Sequence, residues 1–421
     1  MPNPPRRLSP AFNWPVVVAC FFTALFGWGF GFYGQAVYLA ELHKLHGWST
    51  ALISSATTLY YLFGAALLTL APAAIERLGP RAVHLGGAAI LAAAAVGLAL
   101  ASAPWQLYAA NLVMAFGWAS TSTTAIATTI SLWFHRRRGL ALSLALNGAS
   151  AAGFTVAPAL VQLSARYGLL TAVLAVAAAL FALLVPAALL GMRAGRREEE
   201  PEGGDATPPA RGAEKAPARP AEPLPLLLRR AEALASFRFW SVTAPFALAL
   251  AAQVGFIVHQ VAFLLPTLGN EGTSTAVAAT AIAAAVGRVG LGLVIDRLDQ
   301  RIVSAAACAS QVAALLAMVL FHESALALTL SCVVFGLSVG NLITLPALII
   351  QHEFAARSFG LVMGLSTAIC QFTYAFGPAL LGAVHDASGG YRPALGLCMA
   401  LEIAAACIIL VGRRAKAGRT P

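Results

Sequence analysis

The sequence is poor in charged residues: they make up 10% of its 421 residues, against about 25% in a typical soluble domain. Hydrophobic residues make up 59% of the chain. Windows such as 14–39 and 169–190 contain no charge, and each exceeds the roughly 20 residues that cross about 30 Å of hydrocarbon as a helix. The composition therefore predicts a protein that crosses a membrane many times.

Signatures of metal, disulfide and ATP chemistry are also lacking. The six cysteines lie singly in apolar segments, without a CxxC pair or a Cys/His cluster, which argues against disulfides and structural zinc. No GxxxxGK[ST] motif occurs, so an ATP-driven pump is not expected. We expect no cofactor, no metal and no enzymatic activity. The first apolar segment is longer than the core of a signal peptide and is expected to remain as the first span.

The formal net charge of +10 reflects membrane topology and does not indicate nucleic-acid binding. Most Lys and Arg residues fall in the termini and in alternate connections between apolar runs. By the positive-inside rule these connections and both termini face the cytoplasm. The alanine-rich composition, with arginine preferred over lysine, points to a bacterial cytoplasmic (inner) membrane.

Apolar runs between polar connections predict an all-α membrane protein with twelve transmembrane helices. Their approximate ranges are 14–40, 50–74, 82–102, 106–133, 139–164, 169–191, 238–265, 272–295, 302–321, 324–350, 358–384 and 392–412. Three regions follow: a six-helix bundle (1–192), a disordered cytoplasmic linker rich in Pro, Glu, Ala and Arg (193–236), and a second six-helix bundle (237–421).

The two predicted bundles resemble each other in sequence. IERLGPR at 75–81 matches IDRLDQR at 295–301, and APAL at 157–160 matches GPAL at 377–380 with the same shift. Six helices per bundle is an even number, so both bundles cross the membrane in the same direction. Parallel six-helix repeats of this kind are the architecture of major facilitator transporters.

The paired loops after the second and eighth helices resemble the major facilitator signature. In that reading, an acid at a helix end pairs with arginines across the interface between the bundles, forming a latch that breaks when the bundles rock. Ordinary positive-inside flanking is the alternative. The candidate gating residues are Glu76, Arg77, Arg81, Arg137, Asp296, Arg297 and Arg301.

Further segments resemble the monocarboxylate transporters and their bacterial relatives, the oxalate/formate-type antiporters. They are WFHRRRGLALSLALNG at 133–148, FGWGF at 26–30 and HGWSTALIS at 46–54. This resemblance implies a carrier whose substrate carboxylate is bound by an arginine in the eighth helix.

Arg288 occupies that position, within the segment AVGRVGLGLVIDR at 285–297. It stands eight residues before Asp296, so at 1.5 Å per residue it lies roughly 12 Å inside the helix end. A cation at the bilayer centre costs about 2.5–3.5 kcal/mol on insertion scales. Arg288 is therefore expected to bind a substrate carboxylate, with a structural ion pair inside the membrane as the alternative.

Other polar residues at membrane depth are candidates for substrate contact. For each of them, hydrogen bonding between helices is equally open. They are Tyr33, Gln35, Asn147, His259, Gln260, Asn341, Gln371 and Tyr374.

His259 and Glu402 are the candidate proton sites. For both, a structural role is the favoured interpretation. Animal monocarboxylate transporters carry an acid one turn before the arginine and a lysine in the first helix. Here Ala284 holds the first place and no lysine precedes Lys44, so proton symport and anion exchange both stay open.

The sequence thus predicts a secondary active transporter of small organic anions, above all monocarboxylates, that works by alternating access. A drug or metabolite exporter of the same fold is the main alternative, and a transporter-like membrane sensor is a third. The expected partners are a carboxylate, a co-transported proton or counter-anion, and the lipid bilayer, with a monomeric protein.

Overall fold

The computed structural model describes residues 13–134, 138–192, 230–354 and 358–417. Arg137 and most of the predicted linker lie outside these ranges, and the side chain of Asp296 is also not described. Within them the chain is almost entirely helical and contains no strand. This agrees with the all-α membrane architecture predicted from the apolar runs.

The described residues form twelve long helical segments. The first half of the chain contains α1 (Trp14–His46), α2 (Thr50–Leu78), α3 (Pro80–Ala99), α4 (Pro104–Thr121 and Thr123–Trp133), α5 (Arg138–Tyr167) and α6 (Leu169–Gly191). The second half contains α7 and α8, which are the parts of Phe237–Val294 before and after Gly269, then α9 (Gln300–Leu320), α10 (Ala325–Glu353), α11 (Phe359–Ala375 and Gly377–Ser388) and α12 (Tyr391–Ala417).

Ten helices in the described ranges are long and apolar enough to span a membrane. One of them is the continuous segment of α7 and α8, which turns at Gly269 with φ 62° and ψ −173°. Such a positive φ suits glycine, which has no Cβ. α4 is interrupted at Ser122, where the backbone is extended. α4 is not among these ten segments. Counting α7 and α8 as two spans, and adding the two parts of α4 as one further span, gives the twelve helices that the sequence predicts.

Local interruptions inside the helices are not visible in the apolar pattern. α1 passes through a π-helical turn at Gly29–Tyr33. α2 contains a 3₁₀ turn at Leu68–Leu70 just before Pro72, whose missing N–H and fixed φ suit the start of a new helical segment. The second part of α4 is capped by the Ser122 side chain, which accepts a hydrogen bond from the N–H of Ala125.

The predicted linker, 193–236, contains a short helix at its carboxyl end. Residues Arg230–Ala235 form this helix, and the indole N–H of Trp240 donates to the carbonyl of Leu234 at 2.7 Å. This packing ties the short helix to the start of α7.

Because consecutive helices run in opposite directions, the bundle has two ends. We call the end at which α1 begins the terminal end, and the opposite end, which carries the turn between α1 and α2, the far end. The two halves meet where α5 packs on α8, α2 on α11, and the Gly34–His46 part of α1 on α7. Val254, Val258 and Val261 of α7 belong to the main hydrophobic cluster of the first half.

Candidate functional site

Arg288 lies on α8 at the contact between the two halves. Its side chain is half-buried, and its Nη1 is 3.5 Å from Oγ of Ser150 on α5, which is a long contact for a hydrogen bond. Its Nε is buried without a hydrogen-bond partner. None of the acidic side chains that the structure describes forms an ion pair with it, so the alternative of a structural ion pair finds no partner in the described ranges.

Two glycines shape the space around Arg288. A Cβ at Gly287 would overlap the carbonyl of Leu337, and a Cβ at Gly340 would lie 3.0 Å from Nε of Arg288. α8 and α10 therefore approach closely only because these positions lack side chains. The stem of Arg288 packs over Gly340 while one guanidinium nitrogen reaches α5.

Tyr33 and Asn147 lie on the elements that surround the guanidinium. Tyr33 ends the π-helical turn of α1, and its ring packs against Gly153, where a Cβ would stand 2.7 Å from Cζ. Tyr33 also interacts electrostatically with Arg288. Asn147 is exposed and precedes Ser150 by three residues, which places both on one face of α5. We call Arg288, Ser150, Tyr33 and Asn147 the arginine cluster.

Gln35 and Gln260 are engaged inside their own halves. Gln35 is buried, accepts a hydrogen bond from Thr57 at 3.1 Å and has its Nε2 3.2 Å from the sulfur of Met114. Gln260 is buried and donates to the hydroxyl of Thr280 at 2.8 Å. Both arrangements match the alternative that these amides join neighbouring helices.

Asn341 follows Gly340 on α10, and Gln371 and Tyr374 lie on α11. Asn341 donates to the carbonyl of Leu337 at 2.9 Å, while its Oδ1 is buried without a partner. Tyr374 interacts with Gln371, and its ring lies 5.8 Å from that of Tyr61 in the first half. Among the described residues, no hydrogen bond connects these three side chains to Arg288.

The predicted latch residue Arg301 is paired inside the second half. It is 3% exposed, and its Nε and Nη2 donate to the two carboxylate oxygens of Glu353 at 2.8 and 3.0 Å. It also donates to the carbonyl and hydroxyl of Ser241. This bidentate pair ties α9 to α10 and α7. Glu353 was missed because an acid at a helix end resembles ordinary flanking charge.

The other described latch candidates make no contact between the halves in this conformation. Glu76, Arg77 and Arg297 are exposed. Arg81 donates to the carbonyl of Leu189 at 3.1 Å, within the first half. A latch at the terminal end therefore stays a prediction for another conformation.

His259 lies between the halves near the far end, and it is 1% exposed. Its Nε2 is 3.0 Å from Oγ of Ser54 on α2 and 3.0 Å from the carbonyl of Pro378. Its Nδ1 is 3.1 Å from the hydroxyl of Tyr391. All four groups lie on different helices, so this imidazole helps to hold the far end together.

Asp386 and Thr50 complete these far-end contacts, and the sequence reasoning missed both. The Thr50 hydroxyl donates to Oδ1 of Asp386 at 2.6 Å. The N–H of Ala51 donates to Oδ2 of Asp386 at 2.7 Å. Asp386 stands shortly before a Ser-Gly-Gly turn at the end of a predicted helix, where an acid reads as a solvated loop residue.

Glu402 is fully buried within the second half. It lies beside the thiols of Cys308 and Cys398. None of the ion pairs among the described residues includes Glu402, so it does not neutralise Arg288.

Comparison with known proteins identifies the family. The profile of the Major Facilitator Superfamily matches residues 17–378, which include parts of both halves. The chain belongs to the Major Facilitator Superfamily. It is therefore a multi-pass membrane protein of a transporter family, whose members are generally not enzymes. No curated protein matches the sequence as a relative.

Solved structures of other superfamily members share the fold. A bacterial homolog of the human lysosomal transporter Spinster, in an inward-facing and unoccupied conformation, aligns with a TM-score of 0.69 and 14% identity over 97% of this chain and 98% of that chain. The nucleoside transporter NupG aligns with a TM-score of 0.71 and 12% identity over 96% of this chain and 98% of that one. At such identities the likeness concerns the fold alone.

Proposed function

We propose that this superfamily member is a secondary active transporter of small organic anions, most simply monocarboxylates, and that Arg288 binds the substrate carboxylate. The observation that carries the proposal is the half-buried guanidinium of Arg288 between the two halves, without an acidic partner among the described residues. An uncompensated cation at this depth is costly. Its planar fork suits a carboxylate, which would supply the missing negative charge.

The segments that resemble monocarboxylate transporters support this substrate class. They include the residues at 133–148, which contain the start of α5 and Asn147, and FGWGF at 26–30, whose last two residues begin the π-helical turn. Asn147 is a member of the arginine cluster, and Tyr33, another member, ends that turn. Ser150, Tyr33 and Asn147 then serve as neutral partners for the carboxylate beside its cation.

The distribution of contacts supports alternating access. The hydrogen bonds and ion pairs that join described residues of the two halves lie at the arginine cluster or between it and the far end, as for Gln162 with Ser274 and Arg166 with Glu271. By the positive-inside rule the terminal end faces the cytoplasm. The structure then corresponds to an inward-facing state, and rocking of the halves would expose the site to the other side.

A thermal-shift screen of the purified protein tests the assignment. Short-chain, hydroxy-, keto- and dicarboxylates are added to the wild type, to Arg288→Lys and to the matched control Arg392→Lys, which keeps a charge outside the arginine cluster. A ligand at 100 times its Kd stabilises by about 2.7 kcal/mol. We expect a carboxylate to stabilise the wild type and the control, and to lose most of its effect in Arg288→Lys. Equal stabilisation of all three proteins would refute the role of Arg288.

Transport assays in liposomes separate the competing functions. Counterflow of a labelled carboxylate is expected for the proposed carrier, whereas a membrane sensor would show none. A drug or metabolite exporter would show transport with weak dependence on Arg288 and competition by lipophilic cations. Comparing counterflow with uptake driven by a proton gradient distinguishes anion exchange from proton symport.

A further inference from the structure

We propose that Asp386 is a far-end latch of the transport cycle: a carboxylate of the second half that caps the first turn of a helix in the first half. The inference rests on the proposed alternation of the two halves, and it assigns the residue whose contacts must break when the far end opens. The candidate gating residues found from the sequence that the structure describes all lie at the terminal end.

The carboxylate of Asp386 accepts two hydrogen bonds from the start of α2. Oδ1 accepts from the hydroxyl of Thr50 at 2.6 Å, and Oδ2 accepts from the backbone N–H of Ala51 at 2.7 Å. α2 begins at Thr50. Its own cap is Ser49, whose Oγ accepts from the N–H of Leu52 at 3.2 Å. The amino end of α2 thus has one cap from its own half and one from the other half.

A carboxylate in this position is stabilising for two reasons. The first N–H groups of a helix have no partner within the helix, and the amino end carries a partial positive charge that favours an anion. Hydrogen bonds to an ionised acceptor are about twice as strong as neutral ones. Because Asp386 belongs to α11, these contacts exist only while α2 and α11 touch.

The surrounding residues hold Asp386 in place from its own half. Nδ1 of His385 lies 3.0 Å from Oδ1 of Asp386, and the ring of Tyr391 lies 4.3 Å from that of His385. One turn earlier, a Cβ at Gly382 would stand 2.8 Å from the carbonyl oxygen of Thr50. The missing side chain at Gly382 permits the close approach that the capping contact requires.

An ion pair that joins described residues of the two halves at this end is a weaker candidate. Arg166 and Glu271 are 3.9 Å apart, and their side chains are 66% and 88% exposed. Exposed pairs of this kind contribute little, since solvent screens them and ordering two long side chains costs entropy. Asp386 instead combines short distances with a backbone donor that is fixed in a helix.

Alkylation of a buried cysteine measures the opening of the far end. We choose Val261→Cys in a Cys407→Ser background, because Val261 is 3% exposed within the cluster of the first half and Cys407 is the exposed native thiol among the described residues. A membrane-impermeant maleimide is added to oriented vesicles, on the side of the membrane that the far end faces. If closing is faster than alkylation, the rate is proportional to the population of the open state.

We expect Asp386→Asn and Asp386→Ala to raise the alkylation rate about tenfold or more, as expected for the loss of charge-assisted hydrogen bonds. Thr50→Val, which keeps the contact of Asp386 with Ala51, should give a smaller increase in the alkylation rate. This variant replaces the Asp386 variants in the test if they fold poorly. Two controls should stay within about twofold of the parent: Ser49→Ala, which removes the cap from the same half, and Asp299→Asn, which alters a capping acid at the terminal end.

The remaining outcomes separate the latch from the proposed function. Equal rates in the parent and in the Asp386 and Thr50 variants would contradict the latch alone. An equal increase in Ser49→Ala would show that fraying of α2, and not the contact between the halves, controls the rate. If no folded variant is alkylated although the detergent-unfolded protein is, the alternation of the halves itself is contradicted.

Discussion

At the scale of single residues, the geometry of the arginine cluster depends on Gly340 as well as on Arg288. Gly340 lies on α10, and a Cβ there would stand 3.0 Å from Nε of Arg288 and 2.7 Å from the carbonyl oxygen of Ala284. The guanidinium tip could move to accommodate a methyl group, but the backbone of α8 could not do so without separating from α10. The position of the guanidinium is therefore coupled to the packing of these two helices.

Gly340→Ala is expected to weaken both the protein and its response to carboxylates. Overpacking typically costs about 1–3 kcal/mol, and displaced α8 would move Arg288 away from Ser150. Gly290→Ala is the matched control, because a Cβ at Gly290 on α8 meets nothing within 4 Å. Thermal unfolding with and without the stabilising carboxylate measures both effects. A carboxylate response as large in Gly340→Ala as in Gly290→Ala would contradict the coupling.

At the scale of helices, the apolar runs predict where the helices lie but not where they are interrupted. Composition determines the positions of the helices, because about 20 apolar residues suffice for a span. The break in α4 depends on one side chain, Ser122, within a run of Ser and Thr that could equally continue the helix. The turn between α7 and α8 is shorter than predicted because one glycine with positive φ reverses the chain.

The candidate site was predictable only in part, because composition shows an unusual charge but not which residues pack together. Arg288 is conspicuous because its charge lies at a depth where charge is rare. Glu353 and Asp386 lie at helix ends, where charged residues are common and a sequence gives no sign of their partners. Gln35 and Gln260 have the depth of site residues, yet which neighbour each one meets depends on packing between helices.

The cap of α9 predicts a pH-dependent contribution to stability. Oδ1 of Asp299 accepts from the N–H groups of Arg301 and Ile302, and its Oδ2 accepts from Nε of Arg413 at 2.7 Å. Burial opposes ionisation, but the hydrogen bonds from Arg413 and from these N–H groups outweigh it, so the pKa of Asp299 is lowered. Its stabilising effect is therefore present above the unfolded pKa, about 3.9, and is lost as the pH falls through the lower folded value.

We expect Asp299→Ala to reduce the free energy of unfolding by about 0.5–2 kcal/mol at neutral pH, the usual cost of a lost amino-terminal cap. The difference from the wild type should shrink as the pH falls below the unfolded pKa. Thermal unfolding in detergent at neutral and acidic pH measures it. Glu323→Ala, which removes a side chain that is 91% exposed, is the control. A difference that grows on acidification would contradict the role of the ionised carboxylate.

At the scale of the whole molecule, the two halves are held together unevenly. Polar contacts such as Ser54 with His259 and Thr50 with Asp386 lie toward the far end. At the terminal end the buried pair of Arg301 and Glu353 stays within one half. If both ends were held in this way at once, the substrate would be trapped, so a carrier must exchange one set of contacts for another.

Distances between spin labels test this exchange directly. One pair joins the halves at the far end (Ser102→Cys with Glu323→Cys), and another joins them at the terminal end (Leu78→Cys with Leu298→Cys). All four positions are at least partly exposed, and Cys407→Ser removes the exposed native thiol. Because rocking about a central site moves the two ends in opposite senses, Asp386→Asn should lengthen the far-end distance and shorten the terminal-end distance.

A third pair within the first half, Ser102→Cys with Tyr167→Cys, should not change, since rigid-body rocking leaves each half intact. A transported carboxylate should redistribute the populations of the two between-half pairs, again in opposite senses, and Arg288→Lys should abolish this redistribution while the effect of Asp386→Asn remains. Distances that lengthen at both ends together would indicate separation of the halves. A change confined to the pair within the first half would indicate local unfolding, and either result would contradict the rocking of two rigid halves about Arg288.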